Sequence, residues 1–216
     1  MYFFKRKLKP IQEKGRNIFV MKIIPIPDRH QRSYLIEGGS KWIIFDAGWS
    51  DSFQKFVSEI KNQGLHFEDI DYIIVSHFHM DHYGSLELLK QQGPTLLLFS
   101  SQLQVNSIEA ANQFFVEKPD SNYVAITREN TKIVDGNLSR SLLKSIGIDG
   151  EIVATKGHSD DSVSLILDTG IAFTGNLPLY ELRDAYGNDD IPKSWKMLLE
   201  KGITEIYPAH GQNYSP

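Results

Sequence analysis

One short stretch of this chain concentrates reactive side chains: Ser76-His77-Phe78-His79-Met80-Asp81-His82. Four potential metal donors fall within six positions, directly after a run of apolar residues. The chain has no cysteine, so any transition-metal site in it must be built from His, Asp and Glu. A strand sends residues i and i+2 to the same side, so His77 and His79 point together at its end. A turn after them lets Asp81 and His82 face a neighbouring point, and two ligand clusters offset in this way can hold two cations. The chemistry on offer is hydrolysis by a cation-activated water.

Two more histidines stand at the ends of apolar runs further on: His158 in Lys156-Gly157-His158-Ser159 and His210 in Pro208-Ala209-His210-Gly211. The adjoining glycines let the backbone turn sharply and bring an imidazole inward. Five of the seven histidines thus occupy plausible ligand positions, with His30 and His66 left over. His66, in a loop after Gly64, reads as a surface residue. With no cysteine nucleophile and no Gly-x-Ser-x-Gly elbow, covalent catalysis is not indicated.

The elements that must position these residues are legible in part. Ile18–Pro25, Ser33–Ile36, Trp42–Phe45, Asp71–Ser76 and Thr95–Phe99 read as strands, and Gly38-Gly39 as a turn. Ser50–Gln63 reads as a helix with Phe53, Phe56, Val57 and Ile60 on one face. His82–Gln92 reads as a second helix, ended by Gly93-Pro94. Residues 101–118 are amphipathic at best, and 119–149 carry few signals. Beyond them Glu151–Thr155, Ser162–Leu167, Ile171–Thr174 and Ile203–Tyr207 read as strands, with a hairpin at Asp168-Thr169-Gly170 and a helix over Ile191–Glu200. Strands in both halves, helices between them and histidines at strand ends suggest helices packed outside two sheets.

The composition is that of an ordinary soluble globular protein: 41% hydrophobic and 23% charged over 216 residues. No apolar run reaches the length of a membrane span, so no membrane association is expected. Residues 1–20 hold six Lys/Arg against one acid, Glu13, but lack the apolar stretch of a secretory signal. They read as an N-terminal extension, an edge strand or a solvated tail, ahead of a single domain over 21–216. That domain carries a formal charge of −9, a poor match to nucleic-acid backbones, which call for a basic stripe. The absence of cysteine points to cytoplasmic residence.

The His-x-His-x-Asp-His run, the downstream Gly157-His158-Ser159, Phe173-Thr174-Gly175-Asn176 and the final His210-Gly211 together resemble the metallo-β-lactamase superfamily, in this order along almost the whole chain. The resemblance implies an α+β fold, an αββα sandwich of two mixed sheets with helices outside and the site at one edge. It implies His77, His79 and His158 as ligands of one metal, and Asp81, His82 and His210 as ligands of a second. Asp46, in Asp46-Ala47-Gly48, matches an aspartate that supports this cluster through hydrogen bonds. Two zinc ions are expected, with iron or manganese as alternatives.

At Asn176 the chain departs from the pattern. Most members have there an aspartate whose carboxylate bridges both metals; an amide carries no charge and binds a cation far more weakly. Asn176 thus stands in the metal set as its weak member, and three expectations follow. The second ion is held less tightly, its water is more acidic, and a persulfide-dioxygenase reading loses the carboxylate it needs beside two histidines. β-Lactamases of the family also lack this aspartate.

The expected function is hydrolysis of an ester, thioester, lactone or amide in a small molecule by a metal-bound hydroxide. Asp81 and His82 are the expected catalytic residues, Asp81 by orienting the hydroxide. The alternatives are an iron-dependent oxidoreductase on the same scaffold, or a binding or regulatory member weakened by Asn176. Pro25–Tyr34, with Arg29, His30 and Arg32, is either a substrate-facing loop or a solvated hairpin. Trp49 and Tyr180 either line the pocket or belong to the core. The expected partners are a small-molecule substrate and at most a second copy in a homodimer, with no nucleic acid.

Overall fold

The computed structural model describes residues 11–13, 16–18, 21–100 and 102–216. Most of the expected extension over 1–20 lies outside the described residues. Within it, β1 (Ile11–Glu13) and β2 (Arg16–Ile18) pair antiparallel with each other.

Six strands form the larger sheet in sequential order: β3 (Ile23–Asp28), β4 (Gln31–Glu37), β5 (Trp42–Phe45), β6 (Ile70–Ile74), β7 (Thr95–Phe99) and β8 (Thr131–Val134). β3, β4 and β5 are antiparallel, and β5 to β8 are parallel. β9 (Gly150–Ala154), β10 (Val163–Leu167), β11 (Ile171–Gly175) and β12 (Glu205–Pro208) form the second sheet, antiparallel except for the β11–β12 pair. Both sheets are mixed.

Three apolar clusters show how the layers stack. The middle one joins inward residues of the large sheet, Tyr34, Ile36, Phe45 and Ile74, to Ile152, Leu165 and Phe173 of the small sheet. Alternation along each strand sends the next residues outward. Leu35, Ile44 and Ile73 thus meet α1 (Phe53–Asn62), α3 (Leu86–Lys90) and α4 (Gln102–Glu117) through Phe56, Leu86 and Ile108. On the far side Ile166, Ala172 and Ile206 pack on α6 (Asp190–Glu200) through Ile191, Trp195 and Leu198. The result is the αββα sandwich expected from the sequence.

Local differences have local causes. The helix expected over His82–Gln92 starts earlier, as α2 (Met80–Tyr83), and breaks before α3. Gly84 touches the 48–50 loop so closely that a Cβ there would lie 2.2 Å from Ser50 N. Pro25–Tyr34 is no loop but the body of a tight β3–β4 hairpin turning at Arg29, whose φ is +56°. β3 tolerates Pro25 and Pro27 because it is an edge strand. The sparse 119–149 region holds β8 and α5 (Gly136–Ser145), the latter capped by Asp135, whose carboxylate accepts from Leu138 N at 2.7 Å. Among the described residues, no helix is long and apolar enough to cross a membrane.

Candidate metal centre

The parallel strand β6 delivers Ser76 and His77 to the carboxyl edge of the large sheet, and α2 starts three residues later. His158 arrives on the β9–β10 loop and His210 on the segment after β12, both from the small sheet. Two clusters form, each with its ligand atoms within 4.8 Å of one another: His77, His79 and His158; and Asp81, His82 and His210. In the first, His79 Nδ1 lies 3.1 Å from His77 Nε2 and 3.0 Å from His158 Nε2. In the second, Asp81 Oδ2 lies 3.4 Å from both His82 Nε2 and His210 Nε2. The His77 and His82 rings are 4.1 Å apart between centroids, so the clusters adjoin.

The hydrogen bonds behind these atoms fix which nitrogen carries a proton. Asp46 is fully buried. It accepts from Ser76 N at 2.7 Å and Ser76 Oγ at 3.0 Å, and from His82 Nδ1 at 2.8 Å. A Ser76 hydroxyl that donates to Asp46 is free to accept from His77 Nδ1 at 3.0 Å. His210 Nδ1 donates to the His30 carbonyl at 2.7 Å. In its neutral form each of these three rings therefore carries its proton on Nδ1 and turns Nε2 into its cluster.

These donors fit a pair of divalent cations. His82 Nε2 is buried with no hydrogen-bond partner, an arrangement that costs free energy unless something else fills the lone pair. Three nitrogens around a tetrahedral zinc stand about 3.3 Å apart, close to the 3.0–3.1 Å observed in the first cluster.

Electrostatics divide the clusters. Burial, reinforced by the neighbouring histidines, holds His77 well below its ordinary value and His158 at about 4. For His82 burial acts downward too, but the Asp46 and Asp81 carboxylates outweigh it and raise the ring to about 9. His210 is raised by its hydrogen bond to Asp81. Burial alone would raise Asp81, yet the His210 and His82 rings, each 3.4 Å from its carboxylate, hold it far below the usual range. Asp81 is therefore an anion throughout the working range.

Backbone geometry is specialised at two points. Asp46 has φ +63°, a left-handed conformation that aspartate tolerates better than most residues. Gly175, at φ +57°, packs against Ser76 so tightly that a Cβ would lie 2.5 Å from its Oγ. Asn176, next in the chain, puts its Nδ2 3.4 Å from His158 Nε2, and its Oδ1 is buried without a partner.

Asp161 carries no signal in the sequence, and the other candidates named there fall into varied places. Asp161 accepts from Phe78 N at 2.8 Å, tying the ligand-bearing turn to the loop of His158. Arg32 reaches the Gly211 carbonyl rather than open solvent. Arg29 pairs with Asp51 at 2.7 Å and lies 5.0 Å from the centre of the Trp49 ring. Tyr180 packs on Trp195 and Arg183, on the helical side of the small sheet. His66 is exposed. Trp49, Met80, Phe114, Phe115, Lys118 and Asp120 line a cavity of about 480 Å³. Met80, on its wall, stands between His79 and Asp81 in the chain.

The sequence profile of the metallo-beta-lactamase superfamily matches residues 26–210. The chain is 27% identical over 194 residues to the "Probable metallo-hydrolase" of Methanocaldococcus jannaschii, across 83% of this chain and 87% of that one. Its fold is similar to that of a metallo-beta-lactamase family protein from Thermus thermophilus, at 18% identity and TM-score 0.65, over 90% of this chain and 74% of that one. A chemotaxis sensor solved as a peroxy diiron species gives a TM-score of 0.65 at 18% identity, over 91% of this chain and 85% of that one.

Proposed function

Because the chain belongs to the metallo-beta-lactamase superfamily, we propose that it is a two-cation hydrolase cutting an ester, thioester, lactone or amide bond in a small molecule. The observation that carries this reading is the pair of adjoining three-donor clusters, one of three imidazoles and one of two imidazoles and a carboxylate. His77, His79 and His158 would hold one cation, and Asp81, His82 and His210 the other. When bound, such a pair supplies a water acidified toward neutrality and polarises the bond to be cut.

The chain's own groups do the rest. Asp81, held ionised by its two histidine partners, is placed to accept a hydrogen bond from the attacking water and so orient it. His82 has no exposed atom, so its part is to hold rather than to touch substrate. Asp46 and Ser76 keep the rings of His77 and His82 in the tautomer that presents Nε2. Asn176 adds hydrogen-bonding capacity beside His158 without adding charge. The aromatic cavity next to Met80 suits a substrate with an apolar portion.

The fold shared with a diiron chemotaxis sensor keeps an iron-dependent oxidoreductase as the second reading. The first cluster lacks the carboxylate of a two-histidine, one-carboxylate iron site and so favours zinc there, whereas the second, with Asp81 beside His82 and His210, has that set. Elemental analysis of the purified protein, combined with an ester, thioester, lactone and β-lactam panel, separates the two. Zinc with turnover that stops on chelation supports hydrolysis. Bound iron with oxygen consumption and no hydrolysis overturns it.

A further inference from the structure

The segment that carries His210 is gripped from the opposite sheet. Its own sheet supplies one bond, from Ala209 N to the Gly175 carbonyl at 2.9 Å. The β3–β4 hairpin supplies four. Tyr34 Oη donates to the Pro208 carbonyl at 2.6 Å, and Arg32 N donates to the Ala209 carbonyl at 2.8 Å. The Arg32 guanidinium donates to the Gly211 carbonyl, and the His30 carbonyl accepts from His210 Nδ1 at 2.7 Å. Arg32 and Tyr34 are two apart on β4, so both side chains leave the same face of the strand. The Tyr34 ring is fixed edge-on against Phe173 at 5.2 Å and Tyr207 at 5.8 Å. Burial pushes its hydroxyl up to about 12, so it remains a donor at every working pH. None of these four contacts touches His77, His79 or His158.

We infer that Arg32 and Tyr34 are positioning residues for His210, and that through them β4 governs occupancy of the Asp81–His82–His210 cluster independently of the other. The inference rests on the two-cation reading above. Hydrogen-bond partners of metal ligands commonly influence affinity by about 10- to 100-fold. Here the partner is a backbone carbonyl whose place is set by the hairpin, and the histidine's own backbone is held by the same strand. Loosening either end lets the imidazole swing out of line with Asp81.

The test is a zinc titration of chelator-stripped full-length protein against a competing chromophoric chelator, repeated with cobalt(II) for its absorption bands. His210→Ala identifies which binding step belongs to its cluster. Tyr34→Phe removes one hydroxyl and keeps the packed ring; Arg32→Ala removes the guanidinium. The expected result is a loss of about 10-fold or more in that step for each variant, a shift in the cobalt bands of that site alone, and an unchanged other step. Equal weakening of both steps, or of neither, overturns the inference. Should Arg32→Ala fail to fold by circular dichroism, Tyr34→Phe decides. A wild-type protein that takes up one ion only defeats the two-cation reading and this inference with it. Two ions taken up with no selective loss defeats the inference alone.

Discussion

Replacing Asp46 by asparagine isolates the proton bookkeeping at the heart of the site. The carboxylate accepts three hydrogen bonds, from Ser76 N, Ser76 Oγ and His82 Nδ1. An amide of the same shape has one acceptor and one donor end. With its oxygen on Ser76 N, its NH2 faces His82 Nδ1 and forces that ring to carry its proton on Nε2, the atom turned toward Asp81. Flipped, the NH2 collides with the Ser76 N–H. The first arrangement keeps the fold and spoils the ligand; the second leaves a buried donor unmet, at a cost of about 1–3 kcal/mol. Asparagine also tolerates the left-handed backbone here, so strain does not confuse the outcome. Zinc binding to the Asp81–His82–His210 cluster should weaken by about 10- to 100-fold, equivalent to about 1.4–2.8 kcal/mol. Thermal unfolding of the metal-free protein should also come earlier, because the buried His82 ring loses the carboxylate that balances its charge. Competition titration and calorimetry read the two quantities separately. Wild-type affinity at that cluster in Asp46→Asn would show that Asp46 does not control the His82 tautomer.

Two further outcomes follow from the same chemistry. Asn176→Asp puts a carboxylate beside His158, and the more weakly held zinc should then bind at least tenfold tighter; unchanged affinity would remove Asn176 from the metal set. In the metal-free protein His82 stands at about 9 and His210 is raised, so a cation entering their cluster must displace protons at neutral pH. Affinity there should rise with pH, by about tenfold per unit for each proton displaced, and level off above about 9. His77 and His158, held low, give no such competition near neutrality. Zinc titrations at pH 6 and pH 8 that moved both steps alike would contradict this division.

How much could be read beforehand depended on how local each cause is. The His77–His82 run announces itself because four donors lie within one turn of chain. The inner strands were visible as apolar runs because both of their faces are buried. β8 was not, since Lys132 and Ile133 are exposed and leave no such run. The break before α3 is written in Gly84, but its reason is a loop more than thirty residues upstream. The roles of His30 and Ala209 are beyond any reading of side chains, because only their backbone carbonyls take part. Arg32 reads in sequence as either substrate-facing or solvated, whereas its guanidinium donates to the Gly211 carbonyl. Asp161 had nothing to set it apart from Asp160 until the fold placed Phe78 N beside it.

Each of the two ligand clusters draws on both halves of the sandwich. His77, His79, Asp81 and His82 follow a strand of the large sheet, whereas His158 and His210 come from the small one. An ion bound at either cluster would therefore act as a rivet through the seam, closing chain loops of some 80 to 130 residues and adding to hydrogen bonds that already cross it, such as Phe78 N to Asp161. Cation supply and resistance to unfolding are thereby one linked quantity, and stripping the ions should ease the two layers apart along the edge that carries both clusters.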